Sequence, residues 1–213
     1  MTPTIPPLPD TLPADPLPLV AEWLADAAKS VRNSTAMTLA TVATDGRPAA
    51  RMVICRGFDA RSGALVFYTD RESDKGVELA ASPWAALVFH WDVVERQIRV
   101  AGPVTDVADA ESDRYWTSRP FEARAAAVAS DQSRPLRSRA VLLERIADVT
   151  ARADGGEIAR PKRWGGYRVW AERVELWVGQ PGRAHDRARW VRTLTRNGEG
   201  FAGGAWSGTR LMP

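Results

Sequence analysis

Apolar and polar positions change period several times along the chain, and each change marks an element. Val20, Trp23, Leu24, Ala27 and Ala28 recur at helical spacing, which predicts a helix with Asp15 as cap, Pro16 in its first turn and Asn33-Ser34 at its end. Residues 37–43 are β-branched and mostly apolar, Asp45-Gly46 is a strong hairpin signal, and 50–56 reads as the returning strand. Gly57-Phe58 and a polar loop with Gly63 lead to a further strand over 64–69. Ser73 is placed to cap a helix running to Ala81, with Pro83 closing it, and strands follow over 84–91 and 97–107. The middle of the chain turns helical: 110–118 with Asp109 as cap, 122–130, and 138–153 with Val141, Leu142, Leu143, Ile146 and Val149 facing inward. Strands return over 167–170, 174–178, 188–195 and 205–211. Strands at both ends with helices between them predict one α+β domain over 15–213, its sheet closed by its own C-terminus. Residues 1–14 are dense in proline and are read as a flexible arm or one lying on a partner surface.

Composition narrows the classes of function. The 29 basic side chains nearly balance 26 acidic ones, only Lys29, Lys75 and Lys162 are lysines, and no like-charge run suggests a nucleic-acid arm. Cys55 is alone, which excludes an internal disulfide and fits a reducing cytoplasm. No apolar run approaches the roughly 18 residues of a membrane span, and the N-terminus lacks a basic and then apolar signal pattern. The expectation is a soluble cytoplasmic protein without nucleic-acid or membrane partners.

The chemical inventory is defined first by what it lacks. His90 and His185 are the two histidines, and no Cys/His/carboxylate cluster has metal spacing. Gly198-Glu-Gly-Phe-Ala-Gly203 matches G-x-G-x-x-G, but it follows Asn197 in what reads as a hairpin turn, without the strand, helix and acidic residue that a dinucleotide site requires. Neither a phosphate-binding Walker loop nor a G-x-S-x-G elbow occurs. What remains is a set of groups that could fork onto a phosphate or stack on a ring: Arg51, Arg56, Lys75, Arg119, Arg183 and Arg187. Gln97, Gln132 and Ser133 could bond a heterocycle edge or phosphate oxygens, and Trp177 offers a flat face. The strand over 50–56, with arginine near both ends, reads either as an edge strand with solvated ends or as a cationic shelf for an anionic ligand. Past the Gly179-Gln-Pro-Gly182 turn, an extended Arg183-Ala-His-Asp-Arg187 would project Arg183, His185 and Arg187 to one side. Such crowding suits a solvated surface or a ligand that offsets the charge.

In order and spacing these stretches resemble the pyridoxamine 5′-phosphate oxidase family of FMN-dependent split-barrel proteins, from about Asp15 to Pro213. The likeness is carried by Arg51-Met-Val-Ile-Cys-Arg56, Val66-Phe-Tyr-Thr69, Glu95-Arg-Gln97, Tyr115 with Ser118-Arg-Pro120, and Asp131-Gln-Ser133. Towards the end it continues in Trp164-Gly-Gly-Tyr-Arg168, Val174-Glu-Leu-Trp177, Arg183-Ala-His-Asp-Arg187 and Arg210-Leu-Met-Pro213. The resemblance implies an FMN-binding split β-barrel with peripheral helices, acting as a homodimer with two FMN sites at the interface. It implies FMN contacts from Arg51, Met52, Val53, Ile54, Cys55, Arg56, Tyr68, Thr69 and Lys75, completed by Gln97, Gln132, Ser133, Trp177 and Arg187. For the substrate it implies phosphate contacts from Arg56, Tyr115 and Arg119, with Arg183 and His185 over the pyridine ring as the catalytic pair and no metal. The implied reaction oxidises pyridoxamine or pyridoxine 5′-phosphate to pyridoxal 5′-phosphate, with O2 reduced to hydrogen peroxide. Arg51 and Arg56 have opposite parity, so a bulge or strong twist is needed if both face ligands.

Four positions depart from the family pattern. Asp74 stands where a basic residue usually precedes Lys75, with Arg71 as the residue expected to offset it. Arg56 replaces a lysine, Ala123 a serine, and Ala184 a larger apolar residue. These smaller side chains leave two alternatives open: an FMN-dependent oxidase of a reduced phenazine precursor, and a flavin-binding dimer without oxidase activity.

Overall fold

The computed structural model describes residues 5–213. Helix α1 (Leu17–Ser30) leads into the hairpin β1 (Ala36–Val42) and β2 (Pro48–Ile54), followed by β3 (Gly57–Asp59), β4 (Ala64–Asp70) and α2 (Asp74–Ala81). A second hairpin, β5 (Trp84–Trp91) and β6 (Arg96–Asp106), precedes three helices: α3 (Asp109–Ser118), α4 (Phe121–Ala129) and α5 (Arg139–Ala153). The C-terminal part contains β7 (Trp164–Trp170), β8 (Arg173–Val178), β9 (Asp186–Val191), β10 (Leu194–Asn197), β11 (Gly200–Gly203) and β12 (Ser207–Leu211).

Seven strands run β12-β9-β8-β6-β5-β1-β2, with β7, β4 and β3 branching from the far end of β6, and every pairing is antiparallel. The branch arises because β6 changes partner along its length: Arg96–Ala101 pairs with β8, and Val104–Asp106 pairs with β7. Between the two lies Gly102, where a Cβ would stand 1.9 Å from the Trp170 carbonyl oxygen. A side chain at 102 would force the two halves of the sheet apart, so glycine is a condition of the bend.

Alternation along the strands sorts the faces. Met37, Leu39, Leu87, Phe89, Ile98, Val100, Leu176 and Trp190 are buried on the concave side, where α1 contributes Leu17, Val20, Trp23 and Ala27. A second, smaller core under α3, α4 and α5 gathers Trp116, Ala125, Ile158 and Trp164. Trp116 Nε1 donates to the Ile158 carbonyl at 2.7 Å, so the indole enters that core without an unpaired N–H.

Several element boundaries differ from the sequence expectation, two of them for a tertiary reason. The strand expected over 50–56 stops at Ile54; Cys55 N–H then bonds the Thr35 carbonyl and Arg56 N–H bonds that of Val66, carrying the chain to the other half of the sheet. The strand expected over 188–195 is broken at Arg192, whose guanidinium is held by the carbonyls of Ala171 (2.8 Å) and Ser62 (2.5 Å). Beyond the break, β10 and β11 form a hairpin around Gly198 at φ +57°, the turn predicted after Asn197, and the last strand starts at Ser207 rather than 205. Helix α1 starts at Leu17, with Asp15 Oδ1 accepting its N–H at 2.9 Å. Ala108 rather than Asp109 occupies the cap position of α3. Helix α5 starts at Arg139, with Ser138, expected as its first residue, in the cap position; the apolar face expected to turn inward is not buried, and Leu143 is 46% exposed.

Of the stretch 1–14 read as an arm, the described residues 5–14 lie along β9 and β12. Leu8 is buried, its N–H bonds Asp186 Oδ2 at 2.8 Å, and Arg210 Nη2 bonds the Pro9 carbonyl at 2.6 Å. No helix of the described residues is long and apolar enough to cross a membrane.

Candidate active site

A cavity of about 580 Å³ opens where β2 and β4 meet the helices. Met52, Val53, Ile54 and Arg56 enter it from β2 and the crossover, Tyr68 and Thr69 from β4, and Lys75 from α2. Tyr115 and Arg119 reach it from α3 and the turn after it, and Gln132 from the loop beyond α4. Ten residues singled out in the sequence therefore converge here. The wall opposite is apolar and small, formed by Ala123, Ala126 and Ala127 with Leu142 and Ile146.

Charge inside the cavity is one-sided. Asp70 also lines it, but its buried carboxylate is ion-paired with Arg163, which in turn donates to the carbonyls of Ser130 (2.9 Å) and Val128 (3.0 Å). That leaves Arg56, Lys75 and Arg119 without a carboxylate among the other lining residues. Lys75 is buried, and burial lowers its pKa; the Arg51 charge lowers it further while Asp74 and Glu78 oppose the shift. Its ammonium donates to Gln132 Oε1 at 2.6 Å and Ser73 Oγ at 3.0 Å. Thr69 donates to the same Gln132 oxygen at 2.9 Å, which leaves the Gln132 amide NH2 free to donate.

Arg119 stacks on Trp164 with its guanidinium carbon 4.7 Å from the ring centroid, and on Trp116 at 5.2 Å. Its Nη2 bonds the Ala123 carbonyl at 3.1 Å, whereas Nη1 is buried with no partner among the described residues. Burial, aided by the Arg56 charge, lowers its pKa. An unpartnered guanidinium N–H at the wall of a cationic cavity is suited to an incoming anion. Beside it Tyr68, Tyr115 and Trp164 form a stack, with Tyr68 4.1 Å from Tyr115 and 5.5 Å from Trp164.

Three residues expected at the cofactor lie elsewhere. Arg51 has the opposite parity to Met52 and turns towards α2, where Nη2 meets Glu78 at 2.6 Å and Nη1 bonds Thr41. Thr41 itself donates to Glu78 at 2.5 Å. The parity conflict is thus resolved by the crossover: Arg56 lies past the strand end and enters the cavity, and Arg51 sits behind it. Cys55 is buried, its thiol facing the Gly57 carbonyl at 3.3 Å, and burial raises its pKa. Ser133 is exposed in a left-handed backbone conformation, φ 71°, outside the cavity lining. The expected relief of Asp74 by Arg71 is not found: Arg71 pairs with Asp106 (3.3 Å), while Asp74 pairs with Arg134 (3.5 Å). Arg134, Glu78 and Thr41 escaped the sequence reading because nothing in local spacing links Arg134 to Asp74, or Glu78 of α2 to Arg51 and Thr41 on the β1–β2 hairpin.

The remaining candidates form a second group on the convex face of the sheet. Gln97 on β6, Trp177 on β8 and Arg187 on β9 stand abreast in register, side by side on neighbouring strands. Arg187 is held by the buried Glu175 (2.8 Å) and bonds the Met212 carbonyl (3.1 Å). His185 packs against Trp177 with ring centroids 4.7 Å apart, and its Nδ1 accepts the Gln180 N–H at 3.2 Å, which places the proton of neutral imidazole on Nε2. The extended run expected over 183–187 is absent at its start: Pro181–Arg183 forms a 3₁₀ turn and Arg183 is left-handed at φ 63°, so strand alternation begins only at Asp186. Arg183 is exposed. None of these five residues lines the cavity.

A bent antiparallel sheet with a cation-lined cavity at its flank defines a split β-barrel equipped for an anionic, ring-bearing ligand. Comparison with known proteins gives the same result. Residues 24–153 match the family described as pyridoxamine 5′-phosphate oxidase, and 164–213 match the pyridoxine 5′-phosphate oxidase C-terminal dimerisation region. The chain belongs to the pyridoxamine 5′-phosphate oxidase family. It is 48% identical over 203 residues to pyridoxine/pyridoxamine 5′-phosphate oxidase of Gluconobacter oxydans, covering 95% of this chain and 96% of that protein. The Rhodopseudomonas palustris protein of the same name is 45% identical, covering 99% of both chains. Among solved structures, PhzG from Burkholderia lata in complex with tetrahydrophenazine-1-carboxylic acid superposes with a TM-score of 0.83 at 32% identity, covering 96% of this chain and 95% of that one. A pyridoxamine 5′-phosphate oxidase-related, FMN binding protein from Nostoc punctiforme shares the fold, with a TM-score of 0.71 at 20% identity over 95% of this chain and all of that one.

Proposed function

We propose that this chain is an FMN-dependent oxidase that converts pyridoxamine or pyridoxine 5′-phosphate to pyridoxal 5′-phosphate with O2, releasing hydrogen peroxide. The observation that carries the reading is the cavity with Arg56, Lys75 and a partnerless Arg119 N–H, a donor set that fits phosphate-bearing ligands. Full-length likeness to oxidases of that name supports the substrate class. FMN fits as well: Lys75 in the first turn of α2 and the free amide of Gln132 suit its phosphate, and Met52 and Ile54 offer exposed apolar surface to a ring.

Bound FMN supplies the hydride acceptor and returns the electrons to O2. The protein's own groups bind and orient. Arg56, Tyr115 and Arg119 hold the substrate phosphate, which fixes the ring for transfer. Gln97, Trp177 and Arg187 lie outside this protomer's cavity, so the reading assigns them to the cavity of a second copy in a homodimer, consistent with the match to a dimerisation region. Arg183 steadies charge over the substrate ring, and His185 donates through Nε2 to a ring substituent. The reducing cytoplasm suits the lone Cys55 thiol.

The test is to supply purified protein with FMN, incubate it with pyridoxamine 5′-phosphate in air, and follow pyridoxal 5′-phosphate and peroxide. Equimolar formation of both is expected. The alanine wall at 123, 126 and 127 makes a reduced tricyclic phenazine precursor the second substrate to try. Turnover on that compound alone would replace the vitamin reading, and FMN binding without turnover on either would make the protein a silent binder.

A further inference from the structure

Both histidines of the chain flank one tryptophan. The His185 ring lies 4.7 Å from Trp177, and the His90 ring lies 6.5 Å from it on another side, tilted by 58°. Strand register produces this. His90 on β5 pairs with Gln97, Gln97 with Trp177, and Trp177 with Arg187, so four side chains stand in one row across four adjacent strands. Their sequence neighbours Phe89, Trp91, Ile98, Leu176, Val178 and Ala188 are all buried, which fixes the row on the convex face. His90 is exposed, and among the described residues no hydrogen bond takes up either of its ring nitrogens.

Three of the four members of the row are the residues assigned above to the flavin, and the fourth lies in the same register one strand further on, more exposed than they are. Imidazole is flat, and in its neutral form it carries one donor and one acceptor, the pair that a heterocycle edge can use. We propose that His90 is a further cofactor-contacting residue, hydrogen-bonding the polar edge of the flavin ring from the β5 side of the row. This rests on the FMN reading.

The test uses apo-protein titrated with FMN, with flavin fluorescence quenching for affinity and the visible absorption band for environment. His90→Ala should weaken FMN by roughly 5- to 10-fold, the loss of about one net hydrogen bond, and should shift the band. His90→Gln, which keeps a donor and an acceptor, should recover most of the affinity, while His90→Phe, which keeps only the flat surface, should not. Affinity and band unchanged in all three variants would overturn the proposal, as would weakening that coincides with loss of the dimer on gel filtration. Lys75→Met separates the two levels. If it weakens FMN while the His90 variants do not, the cofactor reading stands and His90 is merely surface; if the native protein quenches no FMN, both fall.

Discussion

Around the cavity, charged side chains are buried and held by partners distant in sequence, whereas along the row of Gln97, Trp177 and Arg187 polar side chains stand on an open sheet face. In the first region Lys75 and Asp70 are each less than a tenth exposed, and each is held by groups far away in sequence: Gln132 for the lysine, Arg163 for the aspartate. In the second, position follows from strand register alone, with Glu175 the one buried carboxylate beneath Arg187. A cavity can be preorganised within a protomer because helices close over it. A sheet face needs a second surface before it can exclude water. The contrast separates the groups proposed for the two phosphates, which lie in the cavity, from Gln97, Trp177, Arg187 and the proposed catalytic pair, which need a second copy to complete a site.

The difference can be broken at several points, in descending order of effect. Glu78→Ala leaves Arg51 and Thr41 without their buried partner; denaturant unfolding should show a loss of about 3 kcal/mol, and a loss near zero would mean that the pair is dispensable. Arg183→Ala should lower turnover by about 100-fold, the scale of one lost transition-state donor, with FMN affinity unchanged. Equal losses in both would place Arg183 in cofactor binding instead. Lys75→Met should do the reverse, weakening FMN by about 10- to 100-fold through a lost charge-assisted bond, with a shallower salt dependence of binding.

A smaller effect concerns alkali. Burial, with the Glu111 carboxylate 3.4 Å away, raises the Tyr68 pKa from 10.0 to about 12. The folded state therefore holds a proton that the unfolded state has released, and this contribution to stability, complete below pH 10, is lost as pH rises towards 12. Tyr68→Phe should flatten the fall in melting temperature over that window; an unchanged slope would assign the fall to other groups, Tyr167 first, whose pKa is also raised to about 12, mainly by burial. Least of all, Asp74→Arg removes an exposed ion pair with Arg134 and should tighten FMN only a fewfold, about 1 kcal/mol or less, at low salt and not at high salt. No change at low salt would mean that α2 does not face the phosphate.

Local chemistry made much of the fold legible. The Asp45-Gly46 turn is where the sequence puts it, with Gly46 at φ +84°, and Ser73 occupies the cap position of α2, which ends at Ala81. What could not be read locally depended on distant partners. Arg192 breaks a strand because the carbonyls of Ala171 and Ser62 capture it. The apolar residues of α5 at helical spacing suggest a buried face, yet Leu142 and Ile146 line the cavity and Leu143 faces outward. For the candidate site, residue types and family likeness named candidates, ten of which line one cavity, while the division of the rest needed coordinates. His90 was within reach: the hairpin that pairs Trp91 with Arg96 also places His90 opposite Gln97.

The partner switch within β6 has a mechanical consequence. That strand is hydrogen-bonded to β5, β8 and β7, so its amides, those around Gln97 included, should be among the last to exchange with deuterium. Arg183, by contrast, rides a short left-handed turn exposed to water. Two residues proposed for one site thus sit on backbone of opposite character, and the amides of the Arg183 turn should exchange well before those of β6.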